Sequence, residues 1–213
     1  MEVLEIKPIN NKNVTVYLIT VPKVDIEINK INCLTDYLNT NELKFITIDV
    51  ESENFREFLN TRLGKSLEKL EIPYYLLDIP EYAKGYLEYE IIEIEEQLSE
   101  LIEELLRMKD TESIKGQNLK SWIYLIEEEI KEKKSTFSLY VRPKWIAKKI
   151  VDLIRNVKSE KVLFVHFTKK DIFMKIARIF KDLDMQVIAL NDMEKGTEFN
   201  IITSQEEINL WKF

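Results

Sequence analysis

Several residue types that build common functional sites are scarce in this sequence of 213 residues. It contains one cysteine, Cys33, and one histidine, His166, which excludes an intramolecular disulfide and leaves too few ligands for a zinc site. Its four glycines build neither G-x-G-x-x-G nor G-x-x-x-x-G-K-[ST], and no G-x-S-x-G motif is present. The sequence therefore predicts no metal site and no cofactor, and it argues against the common phosphate-binding loops.

Long apolar runs are also missing. The longest ones, such as residues 162–165, have the length of a strand, whereas a membrane span needs about 20 residues. Met1 is followed by acidic residues rather than by the basic and apolar regions of a signal peptide. Together with the single cysteine, these features predict a cytoplasmic protein that has no membrane partner.

Charge is abundant and unevenly distributed. The net charge is −7, yet residues 81–104 contain nine Glu and one Lys, while basic residues outnumber acidic ones between residues 142 and 181. We interpret this as pairing between an acidic helix and basic helices, with a basic face for an anionic ligand as the alternative. The acidity of the whole chain makes nucleic acid an unfavoured partner.

Hydrophobic periodicity predicts strands that alternate with helices. The strands are expected at residues 3–7, 14–20, 43–50, 73–79, 161–167, 186–190 and 199–203, and the helices at residues 26–38, 51–70, 144–157 and 172–183. Gly64 is a candidate break in the second helix. The predicted fold class is α/β, with a mainly parallel sheet covered by helices.

A different pattern interrupts this alternation. A helix with a heptad seam comes first, and the seam consists of Leu87, Ile91, Ile94, Leu98, Leu101 and Leu105. A polar linker follows at residues 110–117, and a second helix is expected at residues 119–134. The two helices predict an antiparallel hairpin at residues 81–137, inserted into a core domain of residues 1–80 and 138–213. Ile92, Ile102 and Leu106 widen the apolar stripe, so we expect this helix to pack against more than one neighbour. The additional neighbour is either the sheet, or a homodimer or another protein partner for which the seam serves as the interface.

Acidic and basic residues follow the predicted strands. Asp49 and Glu51 end the predicted strand at residues 43–50, Asp78 ends the one at residues 73–79, and His166 and Lys169 lie at the end of the one at residues 161–167. Ligands of open α/β sheets bind outside the carboxyl ends of the strands. The carboxylates could hold Mg²⁺ or Mn²⁺ there, or they could simply cap the following helices. His166, within an apolar run, is either a buried core histidine or a ligand-binding residue.

The order of these segments resembles the TraB/ChaN-like superfamily, an α/β group that includes the erythromycin-esterase-like and Tiki proteins. Residues 18–22 occupy the place of its T-x-H turn, and residues 46–51 (ITIDVE) resemble its V-x-I-E-L-D run, with Asp49 at the glutamate position. Asp78 matches an aspartate near the end of its third strand. Residues 142–150 (RPKWIAKKI) resemble its R-x-x-x-M-A-x-K-I helix.

The departures from that family concern its metal site. Pro22 stands where the first histidine of the family would be, and Lys169 or a neighbour stands near the place of the second. The strand that begins at Lys161 also lacks the glycine pair of the family's G-x-G-H segment. The resemblance thus implies the fold of the family without its metal-dependent hydrolysis.

Three functions are compatible with these patterns. The first is a non-catalytic protein that acts by binding or self-association through its hairpin. The second is a metal-dependent enzyme for a phosphorylated or nucleotide-like ligand, with Asp49 and Asp78 as the candidate catalytic residues and Glu51, Arg142, His166 and Lys169 as candidate ligand-binding residues. The third is nucleic-acid binding through the basic helices near the carboxyl terminus, with stacking on Tyr140, Trp145 and Phe173.

Overall fold

The protein divides into two compact units, which we call the sheet unit (residues 1–79 and 142–213) and the hairpin unit (residues 80–141). The computed structural model describes residues 6, 9, 11–20, 42–50, 54–70, 72–190 and 199–201. The predicted helix at residues 26–38, Cys33, Pro22, Glu51 and most of the predicted strand at residues 3–7 lie outside these residues. No helix in the described part of the chain is both long and apolar enough to span a membrane.

The sheet unit contains five parallel strands and a short antiparallel strand at one edge. These are β1 (Asn13–Thr20), β2 (Leu43–Asp49), β3 (Tyr74–Leu77), β4 (Lys161–Thr168), β5 (Gln186–Leu190) and β6 (Phe199–Ile201). Their spatial order is β3-β2-β4-β1-β5-β6, and only the β5–β6 pair is antiparallel. The predicted α/β fold class with a mainly parallel sheet is confirmed.

Helices cover both faces of this sheet. The connections from β1 to β2 and from β2 to β3 move toward one edge of the sheet, whereas the connections from β3 to β4 and from β4 to β5 move toward the other edge. Because the crossovers are right-handed, the helices of the first two connections lie on one face and those of the last two lie on the opposite face. The helices of this unit are α1 (Phe55–Asn60), α2 (Arg62–Leu67), α5 (Arg142–Asn156) and α6 (Lys170–Asp182). Leu63 and Leu67 of α2 join a buried cluster with Val165, while Phe180 of α6 contacts Phe164 edge-on from the other face.

The single helix predicted for residues 51–70 is wrong, because α1 and α2 are separate. Thr61 lies between them with an extended backbone. Its hydroxyl donates to the carbonyl of Phe58 at 2.6 Å and accepts from the amide of Gly64 at 3.1 Å, so it ends one helix and caps the next. Gly64 is not the break but lies within α2, where a Cβ would overlap the carbonyl oxygen of Phe58.

The hairpin unit consists of α3 (Glu81–Arg107), α4 (Ile114–Thr136) and a π-helical turn (Phe137–Val141). Ion pairs from Glu90 to Lys133 and from Glu104 to Lys115 establish that α3 and α4 are antiparallel. Helix α4 begins at Ile114, five residues before the predicted start at Leu119, because the Ser113 side chain accepts from the amide of Gly116 and caps it.

The acidic residues of α3 pair within the hairpin. Glu90, Glu95 and Glu104 contact lysines of α4 at 3.4, 2.7 and 2.6 Å. The sequence instead predicted pairing with the basic helices after residue 142. The pairs form within the hairpin because α4 is the antiparallel neighbour of α3 and brings its own lysines within reach. The prediction did not include the lysines of α4.

Candidate functional site

Arg142 forms the centre of a buried polar cluster at the carboxyl edge of the sheet. It is the first residue of α5, and its Nη2 lies 2.5 Å from Oδ1 of Asp49 while its Nε donates to Oδ1 of Asp78 at 2.9 Å. Asp49 ends β2 and Asp78 directly follows β3, so the guanidinium joins two neighbouring strands to α5. The side chains of Arg142, Asp49 and Asp78 are only 7%, 0% and 5% exposed.

The second oxygen of Asp49 reaches across to the start of α6. It accepts long hydrogen bonds of 3.4 Å from the hydroxyl of Thr168 and from the backbone amide of Lys169. Lys169 is the N-cap position of α6 and its own side chain does not cap the helix. A carboxylate at a helix amino terminus satisfies a free amide and favours the helix dipole, so Asp49 caps α6 from the neighbouring strand.

Burial and neighbouring charges act on Asp49 in opposite directions. Burial raises the pKa of Asp49 above its usual value, and the Arg142 guanidinium and the Lys169 amide offset only part of this effect. The Nη2–Oδ1 contact is a close ion pair without the alignment of a good hydrogen bond, which limits how strongly it favours the carboxylate. Removing Arg142 would take away the cation that the buried carboxylates of Asp49 and Asp78 share.

His166 lies on the same face of the sheet as Asp49, further from the carboxyl edge. It is fully buried, pairs in register with Thr47 of β2, and packs edge-on against Phe180 of α6 at 5.9 Å. Its Nδ1 is 3.0 Å from the hydroxyl of Thr47, which also lies 3.3 Å from the carbonyl oxygen of Val165, so the tautomer of the ring sets which of Nδ1 and the hydroxyl donates. No described residue bonds to Nε2.

Burial keeps the imidazole of His166 neutral. It lowers the pKa of His166 to about 3, although a backbone hydrogen bond with Thr47 acts in the opposite direction. The residue is enclosed by the strands beside it and by α6, beneath the layer that holds Asp49. This position matches the buried core histidine of the sequence analysis rather than the ligand-binding alternative.

The structure brings together four of the residues selected from the sequence: Asp49, Asp78, Arg142 and the backbone of Lys169. Glu51 lies outside the described residues. Sequence reasoning did not assign a role to Thr47, although its position two residues before Asp49 in a strand places it on the same face.

The cluster has the chemistry of an ion-pair network rather than of an open carboxylate site. One oxygen of each aspartate contacts the Arg142 guanidinium, so the two carboxylates face a cation supplied by the chain itself. The described residues contain no group of three or more His, Cys, Asp or Glu side chains arranged to hold a metal ion. What this arrangement does is link β2, β3, α5 and α6 at one edge.

The aromatic residues considered for base stacking have different exposures. Phe173 is completely buried in α6, so the prediction that it stacks on bases is wrong. Trp145 in α5 is half-buried, and the ammonium groups of Lys148 and Lys149 lie 5.9 and 5.7 Å from its ring. Tyr140 of the hairpin unit is exposed.

Large exposed apolar and aromatic side chains are concentrated in the hairpin unit. Among the described residues there are 13 of them, and 11 belong to this unit: Tyr82, Tyr86, Tyr89, Ile92, Ile102, Leu106, Ile114, Trp122, Tyr124, Leu125 and Tyr140. The predicted interface residues Ile91, Ile94, Leu98, Leu101 and Leu105 are half-buried on the side of α3 that faces α4, and the side chain of Leu87 is outside the described set.

Comparisons of this chain with protein-family models, with curated proteins and with solved structures found no match. The resemblance to the TraB/ChaN-like superfamily therefore stays a prediction.

Proposed function

We propose that this chain acts by binding rather than by catalysis, and that its hairpin unit associates with the hairpin unit of a second copy. The observation that carries this proposal is the concentration of exposed large apolar side chains in the hairpin, 11 of the 13 among the described residues. Clustered apolar surface is characteristic of protein interaction sites, whereas single scattered residues are ordinary.

The outer side of α4 supplies a suitable contact surface. Ile114, Trp122 and Leu125 are 81%, 62% and 63% exposed. At about 100° per residue they fall within about 80° of one another around the helix, so they share one face. An aromatic ring flanked by aliphatic side chains is a common centre of a protein interface.

The packing of α3 gives a second argument. None of the α3 side chains that the structure describes is fully buried, although the helix has 27 residues. A pair of helices buries one seam and leaves the flanks of that seam in water. Two hairpins that associate as a four-helix bundle would bury the flanks as well, and this is the usual way in which such seams are covered.

Charge favours one arrangement of the two hairpins. Helix α3 carries nine Glu against Lys84 and Arg107, a net charge of −7, whereas α4 carries five Lys and four Glu, a net charge of +1. Contact between α3 of one copy and α3 of the other would bring two strongly acidic surfaces together. The arrangement that places α3 of each copy beside α4 of the other avoids this repulsion.

The test is the molar mass of the whole chain in solution, measured by size-exclusion chromatography with light scattering. We expect a dimer at concentrations of about 100 µM, and we expect Leu125→Glu to dissociate it. Each copy contributes one Leu125 and burial of a leucine stabilises by about 1.5–3 kcal/mol, so the dissociation constant should rise at least about a hundredfold.

Leu59→Glu is the matched control, because it makes the same change at an exposed leucine of the sheet unit. We expect this variant to remain a dimer. A monomeric unmodified chain, or dissociation by both variants alike, would contradict the proposal.

A further inference from the structure

A cavity of about 400 Å³ opens at the amino edge of the sheet, where β1, β2, β4 and β5 begin. Polar side chains from these strands line it, including Asn13, Lys44, Lys161 and Gln186, and Leu163 contributes apolar surface. Its volume falls within the range of about 300–1,000 Å³ that is usual for small-molecule sites. The cavity lies at the opposite edge of the sheet from the Arg142 cluster.

A β-bulge places Lys44 at this cavity. Leu43 pairs with Leu163 and Phe45 with Phe164, so Lys44 is an extra residue in β2. Leu43 belongs to the core cluster on the α1/α2 face, whereas Phe45 stacks on Phe164 at 4.9 Å on the other face. In a regular strand, residues two apart share a face. The bulge separates them and leaves Lys44 exposed at the cavity, as bulges beside binding sites often do.

The cavity contains two lysines that form no ion pair among the described residues. Neither Lys44 nor Lys161 forms an ion pair with any described residue, although the chain as a whole has a net charge of −7. Glu42 also lines the cavity, so the lining carries two positive charges and one negative charge, a net charge of +1. A cavity that is positive in an acidic protein attracts small anions.

Hydrogen-bonding groups complete the lining. The hydroxyl of Thr15 donates to Oε1 of Gln186 at 3.2 Å, across the pair of strands β1 and β5. This bond fixes the orientation of the amide, and the Gln186 NH₂ group is left as a donor. Asn13 and Ser159 add further donors and acceptors around the same space.

We propose that this cavity binds a small organic anion, whose carboxylate or phosphate group is held by Lys44 and Lys161. The amide of Gln186 donates to the same anion or to a neighbouring hydroxyl group, and Leu163 contacts its carbon skeleton. Carboxylates and phosphates are the anions that paired ammonium groups bind through charge-assisted hydrogen bonds. This site is independent of the association of the hairpins.

The test is isothermal titration calorimetry on the full chain at low salt, with inorganic phosphate in one series and malonate in another. We expect saturable binding of at least one of them, which also identifies the preferred anionic group. Lys44→Ala and Lys161→Ala should each weaken the affinity at least about fivefold, because each removes one charge-assisted contact. Lys148→Ala, at an exposed lysine of α5 outside the cavity, should leave it unchanged.

Because Lys44 and Lys161 are exposed, their variants should unfold at the same temperature as the unmodified chain, and this measurement is made alongside the titrations. Absence of saturable binding in both series would overturn the proposal. Equal weakening by Lys148→Ala would also overturn it, since that result indicates unspecific attraction of anions to lysines.

Discussion

His166 is the only histidine of the chain, so one residue controls any imidazole titration of this protein. Burial holds its pKa at about 3 in the folded protein, whereas an unfolded chain has a histidine pKa near its ordinary value of 6.5. A group whose pKa is lower in the folded than in the unfolded state stabilises the fold at pH values above its unfolded pKa. We therefore expect stability to fall as the pH decreases from about 6.5 toward about 3, because the unfolded chain binds the proton first.

The size of this effect follows from the two pKa values. Between about pH 7.5 and about pH 5, protonation of the unfolded histidine lowers the free energy of unfolding by about 2 kcal/mol. Below that interval the loss continues at about 1.4 kcal/mol per pH unit until the folded pKa is reached. An exposed histidine, with equal pKa values in both states, would contribute no such slope.

The assay compares the unmodified chain with His166→Asn by urea unfolding at a fixed protein concentration across this pH interval. The amide nitrogen of Asn can replace Nδ1 in the contact with Thr47 but does not titrate. We expect the difference in unfolding free energy between the two proteins to change by about 2 kcal/mol from about pH 7.5 to about pH 5.

Comparison with the variant also removes the contribution of Asp49. The raised pKa of Asp49 changes stability with pH in the opposite direction. It stabilises the fold at pH values below the unfolded pKa of Asp49, and this stabilisation is lost as the pH rises through the folded pKa. Asp49 is present in both proteins, so its contribution cancels. A constant difference across the interval, or an imidazole NMR signal that titrates near pH 6.5 in the folded protein, would refute the reasoning for His166.

Three further substitutions, two in the sheet unit and one in the hairpin unit, are tested by urea unfolding. Arg142→Met removes the cation that the buried carboxylates of Asp49 and Asp78 share and should destabilise the fold by about 3–5 kcal/mol. Part of this loss should return when Asp49→Asn is added. Equal stability of Arg142→Met and the unmodified chain would contradict this role. Gly64→Ala should destabilise the fold by about 1–3 kcal/mol, because a Cβ at this position overlaps the backbone. Gly85→Ala should stabilise it by about 0.5–1 kcal/mol, because Gly85 lies in α3 with open space around it. A change of the same sign for both variants would contradict the packing described.

Local patterns in the sequence were sufficient for much of the fold. The runs of branched and aromatic residues at 43–50 and 161–167 predicted two buried strands, and the structure has β2 and β4 there. The heptad seam predicted an antiparallel hairpin, which α3 and α4 form. These predictions succeeded because periodicity reports which side of an element is buried, and this depends on neighbours in sequence.

Features that depend on partners distant in sequence were not predictable. The sequence named Arg142 as a candidate ligand-binding residue, but its pairing with Asp49 and Asp78 depends on the strand order β3-β2-β4, which brings both aspartates to the start of α5. The break at Thr61 depended on side-chain bonds that a helical pattern does not reveal. Phe173 is a different case, because the apolar spacing of Phe173, Ile176 and Phe180 marks the buried side of α6 in the sequence itself.

The sequence by itself therefore determined the fold class, most of the elements and the list of charged residues at the strand ends. Only the tertiary structure decided that Arg142 neutralises two of those carboxylates and that a bulge turns Lys44 toward a cavity. The physical reason is that strand order and register are set by the packing of the whole sheet, and a shift of one residue in register changes which side chains meet.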